Sequence, residues 1–453
     1  MATASAIKIG SAAVNASILR PATARNDGSP ALSEYRTRFP VGVVVESGVA
    51  GHLKSSWRTI AREVMASGMY DILGMNIQPK RENTATEGPA IAIEEVSPDG
   101  RMKYVPYVNG SLGTGVDDQS LNNDWYTLDS GSQTTGLADT FADRICDVYD
   151  LRPSVLAYMV GDDVVDSSGT ASVHTGPEVN KIATAMHARD PFNRPSFGVY
   201  RDDTTSYSQV DAANQKIMMC SFYPVAVGSD GYPKEEGDFG AYAEAVRSMM
   251  AGTSGDTIWW WFQQVHQTKR TDNPDGPWPV NTKIYPTPNE MQLMTWLHIG
   301  EGIKGLYWFT WTSRLDEGDP VQWYGLSHSS KTAHLAMATR LGQRLTPNIR
   351  LRLLAADRSA TDRFATTGGG STGYETDYDN AYCSTLYDAD SDVYYVVVAN
   401  HALTTSSITI SGTGAPWTTG VLTNLETGAA TDVGQAVSLG PLDGSIWRWS
   451  PSP

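Results

Sequence analysis

Two adjacent carboxylates, Asp162 and Asp163, close an otherwise apolar run, SVLAYMVGDD (154–163). Carboxyl groups that close repel each other as anions, so one keeps its proton to higher pH, which suits a general acid. Successive residues of a strand face opposite ways, so at most one of the pair looks into a shared cavity. Asp163 is the leading acid/base candidate and Asp162 the second. The plainer alternative is that the pair caps the turn that follows. Further acids stand just past other apolar runs. Glu46 ends RFPVGVVVE (38–46), Asp202 and Asp203 end RPSFGVYRDD (194–203), and Asp316 and Glu317 follow KGLYWFTW (304–311). DTIWWWFQQV (256–265) ends instead in Gln263 and Gln264. Amides are neither nucleophiles nor bases at neutral pH, so Gln264 is expected to orient a hydroxyl.

No metal or organic cofactor is expected. The eight histidines form no HExxH or HxH pattern. The segment DADSD (388–392) lacks the glycine and distal glutamate of a calcium loop and reads as a hairpin turn. Cys146, Cys220 and Cys383 are far apart with no CxxC, which argues against a zinc ribbon or a disulfide framework. The net charge of −16 repels phosphate backbones and anionic headgroups, so neither nucleic acid nor membrane is an expected partner. Aromatic usage is skewed, with 13 Trp and 21 Tyr against 9 Phe. Trp and Tyr join a flat apolar face to a polar handle, a combination that suits sugar rings.

The elements that position these residues follow a regular order. Strand-length apolar runs at 38–46, 69–76, 102–110, 154–163, 194–203, 216–225, 256–265 and 304–311 alternate with helical patterns at 52–66, 137–150, 176–190, 238–252, 287–302 and 331–346. Near-continuous apolar strands between amphipathic helices mean a parallel sheet covered by helices. Eight strands is the closing number, and no GxGxxG turn follows the first, which favours a (β/α)₈ barrel over an open doubly wound sheet. After residue 349 the pattern becomes short strands between Gly, Asp and Asn turns, an antiparallel sandwich. The expected organisation is a lead-in over 1–37, a (β/α)₈ TIM barrel over 38–348 and a small β-sandwich over 349–453. No apolar run is long enough to span a membrane. The N-terminus has no continuous hydrophobic stretch, so no signal peptide is visible. The expected setting is extracellular, or a cell or virion surface reached by another route.

In a parallel barrel, chemistry sits at the C-terminal strand ends, where all the acids above lie. LAYMVGDDVVD (156–166), IWWWFQQV (258–265) and EMQLMTWLHIGEGIKGLYWFTW (290–311) resemble the fourth strand, the seventh strand and the last helix–strand unit of glycoside hydrolases that join a (β/α)₈ catalytic domain to a C-terminal β-sandwich. The resemblance spans about residues 38–450 and reaches the superfamily, not one family. It implies a carbohydrate partner and a pair of carboxyl groups across the scissile bond. A separation of about 5–5.5 Å goes with retention and roughly 6.5–9.5 Å with inversion. Many retaining relatives carry Glu on strands four and seven, and this chain departs from that. Asp163 or Asp162 would then be the acid/base, with Glu46, Asp202, Asp203, Asp316 or Glu317 as partner. Tyr223 would hydrogen-bond a neighbouring carboxylate or the substrate. Trp260, Trp308 and Trp311 would offer stacking faces, and Trp278, in the polar loop DNPDGPWPV (272–280), a cleft wall. The rival expectation is a decayed barrel that binds a glycan without cutting it. The sandwich reads as a packing accessory with no obvious exposed aromatic row.

Overall fold

The computed structural model describes residues 34–46, 57–75, 89–107, 152–164, 176–201, 215–222, 239–251, 257–265, 267–270, 286–312, 321–371 and 378–452, with short stretches at 7–9 and 12–14 and isolated positions within 139–149. Eight strands form one parallel sheet: β1 (Val41–Glu46), β2 (Asp71–Met75), β3 (Lys103–Pro106), β4 (Tyr158–Val164), β5 (Ser196–Arg201), β6 (Ile217–Phe222), β7 (Ile258–Gln264) and β8 (Gly305–Phe309). Each pairs with its neighbour in chain order, and β8 pairs back onto β1. The remaining seam is shut by backbone bonds just below β4. Tyr104 N donates to Ser154 O and Leu156 N to Tyr104 O, both at 2.8 Å, and Tyr107 bridges Met159. The ring is therefore closed, and the open-sheet rival is excluded.

Helices cover the ring. They are α1 (Trp57–Ala66), α2 (Pro89–Val96), α3 (Gly176–Arg189), α4 (Phe239–Ala251), α5 (Pro288–Gly300) and α6 (Thr332–Arg344). In α1, Trp57, Ile60, Ala61 and Val64 are the buried stripe. α5 starts on a reciprocal cap: Thr287 Oγ1 accepts from Glu290 N at 3.2 Å, and Glu290 Oε2 accepts from Thr287 N at 2.5 Å. All of α5 from Glu290 to Gly300 is buried, because the barrel covers one side and the C-terminal sheets cover the other.

A further helix, α7 (Pro347–Ala355), leads out of the barrel. The larger C-terminal sheet contains β10 (Tyr382–Asp388), β11 (Val393–Ala399), β13 (Val421–Asn424) and β15 (Gly444–Ser450), all antiparallel. The smaller contains β9 (Phe364–Thr367), β12 (Ser406–Gly412) and β14 (Ala436–Leu439). Their inner faces meet through Val396, Val398, Ile408, Ile410, Leu422 and Trp447. DADSD is the β10–β11 turn, where Asp388 Oδ1 accepts from Asp390 N and Ser391 N.

The sandwich is fastened to the barrel through α5 and α6. Arg344 donates to Glu426, Asp443 and Gly444 O, and its guanidinium lies 4.7 Å from the Trp296 ring centre. Glu301, fully buried, takes Arg247 through two bonds of 3.0 and 2.8 Å and the Tyr382 hydroxyl at 2.6 Å. No helix among the described residues is long and apolar enough to cross a membrane.

The N-terminal end of the barrel is tied by one carboxylate. Asp71 accepts from Arg38 Nε at 2.6 Å and from Val41 N at 3.0 Å. Beside it, β1 runs so near β2 that a Cβ on Gly42 would lie 2.1 Å from Asp71 O. Only glycine fits there. Gly42→Ala should therefore cost about 1–3 kcal/mol through overpacking, read as a lower urea midpoint with the slope unchanged.

Candidate functional site: the C-terminal mouth of the barrel

Closing the ring gives every strand an inner and an outer face, and the core splits accordingly. Val44, Leu73, Val105, Met159, Phe197, Val199, Met219, Trp260, Phe262, Tyr307 and Phe309 fill the interior. Val43, Ile72, Tyr104, Tyr158, Tyr200, Cys220, Trp259, Trp261 and Trp308 face the helices. Low in the barrel, Trp260 packs edge-on to Phe197 at 5.4 Å and tilted against Tyr307 at 5.7 Å. One layer nearer the mouth, Phe262 stacks on Phe309 at 6.0 Å. Burial, with the Asp71 charge adding to it, pushes the Tyr307 hydroxyl well above the usual phenol range, so it stays protonated. The interior is a packed apolar column, and a ligand has room only above it, at the C-terminal strand ends.

At that mouth β7 divides its two glutamines. Gln263 faces outward and clasps α5: its Nε2 donates to Met291 O at 2.6 Å, and its Oε1 accepts from Thr295 Oγ1 at 2.9 Å. Gln264 shares the inward side with Trp260 and Phe262, pairs with Phe309 of β8, and is buried. Beyond them the chain continues as a short ribbon above the mouth. Gln267–Arg270 pairs antiparallel with Val321–Tyr324, setting Thr268 opposite Trp323. The ribbon belongs to the long segments that follow strands seven and eight. Its base is stitched to the rim by Val265 N on Phe309 O and Leu326 N on Thr310 O, both at 2.9 Å.

Of the candidate acids, Glu46 is the last residue of β1, paired with Met75, and has the strand parity of Val44. Asp162 and Asp163 belong to β4, not to the turn after it. Their parity cannot be counted from Met159, because the β4–β5 register slips twice between Met159 and Val164. Gly161 pairs with Gly198 and Val164 with Tyr200, whose ring is in the outer core, so Asp162 and Asp163 together stand opposite Val199, the inner-core residue between them. Asp202, Asp203, Tyr223, Trp278, Asp316 and Glu317 lie outside the described residues.

Three indoles are corrected. Trp260 does lie inside the barrel, but it is fully buried beneath Phe262 and Gln264, a floor rather than a face open to a ligand. Trp308 is equally buried on the outer side, since its neighbours Tyr307 and Phe309 take the inner positions. Trp311 belongs to the same outer core, and its backbone N donates to Val44 O at 2.7 Å. The sequence reading passed over Tyr107 and Phe309, whose rings sit inward at the top of the packed column. Counting in twos from Val105 and Tyr307 would have found both. Among the described residues no three His, Cys, Asp or Glu side chains come together as a metal site.

No protein-family profile and no curated protein sequence matches this chain. Solved structures do resemble it. A glycoside hydrolase family 5 protein from Bacteroides vulgatus aligns over 91% of this chain and 89% of its own, with TM-score 0.55 and 13% identity. The α-amylase of Geobacillus thermoleovorans aligns over 92% and 99%, with TM-score 0.54 and 10% identity. An Anoxybacillus α-amylase gives the same coverage with TM-score 0.51 and 12% identity. The chain has the fold of these glycoside hydrolases, a (β/α)₈ barrel followed by a β-sandwich. At such identities the likeness is one of fold.

The division of β7 has a measurable consequence. Trp308→Ala should cost about 3–5 kcal/mol and Gln263→Leu about 1–2 kcal/mol in urea unfolding. Both residues are structural on the outer face. If either substitution instead leaves stability unchanged, the inner/outer assignment of β7 and β8 is wrong.

Proposed function

We propose that this protein is a glycoside hydrolase that cuts a polysaccharide or oligosaccharide at the C-terminal mouth of its barrel, with Asp163 as acid/base. The observation that supports this reading is the register of β4 on β5, in which Asp162 and Asp163 share the position opposite Val199 near the mouth. The fold supports it by analogy, because barrels place their chemistry at this end.

The cyclic strand order bears on the partner carboxylate. In a ring of eight, β8 is diametrically opposite β4, and β1 is one strand off that diameter. In this reading an acid at the end of β1 or after β8 would stand on the far side of the mouth from the β4 acids, as cleavage between two carboxyl groups requires. Glu46 is the preferred partner because it ends its strand at the parity of Val44. Asp316 and Glu317, Asp202 and Asp203, and Asp162 as the alternative acid, stand behind it. Asp163 protonates the leaving oxygen. Glu46 attacks the anomeric carbon or draws a proton from the attacking water. Gln264 and Tyr223 orient hydroxyls, and Trp278 walls the cleft. A polymeric substrate puts the protein's work outside the cell, or on a cell or virion surface.

One observation favours a second reading, a barrel that holds a glycan without cutting it. The inward residue at the end of β7 is an amide, Gln264, not a carboxylate.

Reducing-sugar release from a polysaccharide panel separates the two. Asp163→Asn and Glu46→Gln should each lower the rate about 10²–10⁴-fold while leaving unfolding midpoints near that of the wild-type chain. Activity that survives Asp163→Asn removes Asp163 from its role. A wild-type chain that binds a polysaccharide and releases nothing from it supports the second reading.

A further inference from the structure

The sandwich gathers four aromatic rings at one end of its inner face that its own core does not enclose. Tyr387 on β10 and Tyr394 on β11 are direct cross-strand partners, their rings stacked 4.4 Å apart. Tyr394 lies 4.4 Å from Trp417, and Trp417 lies 4.6 Å from Trp449. Trp449 belongs to β15, which pairs with β11 on its other side, and Trp417 comes from the loop between β12 and β13. Along the same strand faces Val396, Val398 and Trp447 are shut into the core, whereas all four of these rings are partly exposed. Neighbouring strands lie about 4.8 Å apart, so the rings cross the sheet as a continuous row.

The row has a polar rim. The guanidinium of Arg363 sits 5.7 Å from the Trp417 ring centre. It makes no ion pair among the described residues, and its Nε, shut off from solvent, has no hydrogen-bond partner among them. The Tyr387 hydroxyl donates to Asp392 Oδ1 at 3.1 Å.

Single exposed aromatics need no explanation, but a contiguous row of them marks a binding surface. Closing the end of a sandwich does not need four large rings; small β-branched residues would do it. The chemistry of the row narrows what it binds. A peptide adding a strand needs a free sheet edge, and these rings stand on a sheet face. Nucleic acid and anionic lipid are repelled by a net charge of −16. Flat apolar rings bordered by a guanidinium and a carboxylate match a saccharide, whose C–H faces stack while its hydroxyls accept and donate.

We infer that the Tyr387–Tyr394–Trp417–Trp449 row, with Arg363, is a second glycan-binding surface, separate from the barrel mouth. It binds a glycan chain without chemistry and does not depend on what the barrel does.

Native electrophoresis of the full chain through gels containing soluble polysaccharides tests this. The panel comprises a neutral β-glucan, a xylan, an α-glucan and a polyuronate. At least one should retard the wild-type protein, and the polyuronate arm reports whether Arg363 meets a carboxylate or a hydroxyl. Tyr387→Ala and Trp417→Ala should each weaken retardation at least about tenfold in apparent affinity, the usual effect of losing an aromatic anchor. Asp163→Asn should leave it unchanged. Thermal unfolding of each variant checks the fold. If Trp417→Ala loosens the sandwich, Tyr387→Ala, at the end of the row, carries the test. Retardation that no polysaccharide produces, that survives both substitutions in folded protein, or that Asp163→Asn abolishes, overturns the inference. Hydrolysis is read separately, so failure of the barrel's proposed chemistry would leave this result standing.

Discussion

Closure of the β3–β4 seam is the constraint from which the rest follows. Two backbone bonds on Tyr104 and a bridge at Tyr107 join strands that an open sheet would leave as edges. Once the ring is shut, a side chain faces either the apolar column or the helices, and a strand of period two alternates between them. That choice disposes of most of the aromatic residues that a count alone would offer to a ligand. Trp259, Trp261 and Trp308 anchor helices, and Trp260 plugs the barrel. What the two cores do not take up is the upper rim, where strands end, alternation gives Glu46 and Gln264 inward register positions, and Asp162 and Asp163 stand together opposite Val199.

The barrel was legible in the sequence because parallel strands buried on both faces leave long apolar runs. All eight runs hold strands, and the helical patterns at 52–66, 176–190, 238–252, 287–302 and 331–346 hold helices, while that at 137–150 is described only at isolated positions. The sandwich was equally plain from its turn residues. The inner and outer faces were not. Trp259, Trp260 and Trp261 present the same indole to both sides, so the letters cannot say which face meets the helices, whereas the partners of Gln263 on α5 can. The slip in β4 is a second such case. Two extra residues between Met159 and Val164, one on each side of Gly161, set Asp162 and Asp163 together opposite Val199, which plain alternation would not give. The aromatic row was invisible for a third reason. Its members are spread over 387–449 and adjoin only because β10, β11 and β15 pair side by side.

One helix links the two halves, and its sequence shows why the sandwich is no optional appendage. A helix covering a barrel ordinarily has one apolar stripe and one wet face. α5 has no wet face over its buried length. On the barrel side it receives Gln263 at the rim and sets His298 tilted against Trp261, ring centres 4.8 Å apart. Burial holds that imidazole well below its usual pKa, hence neutral, as a helix pressed between two apolar layers requires. On the other side a Cβ at Gly444 would lie 2.4 Å from Trp296, and one at Gly300 equally near Tyr382. Glycine at both points lets sandwich and helix touch without a gap. Just past its C-terminus, Glu301 ties Arg247 of α4 to Tyr382 of β10. Without the sandwich, α5 would turn Trp296 and the buried Glu301 carboxylate to water. The strand bearing Gln264 would then lean on a helix with one face unsupported. The strand that carries Gln264 is therefore braced from outside the barrel, through Gln263 and the turn of α5 from Met291 to Thr295.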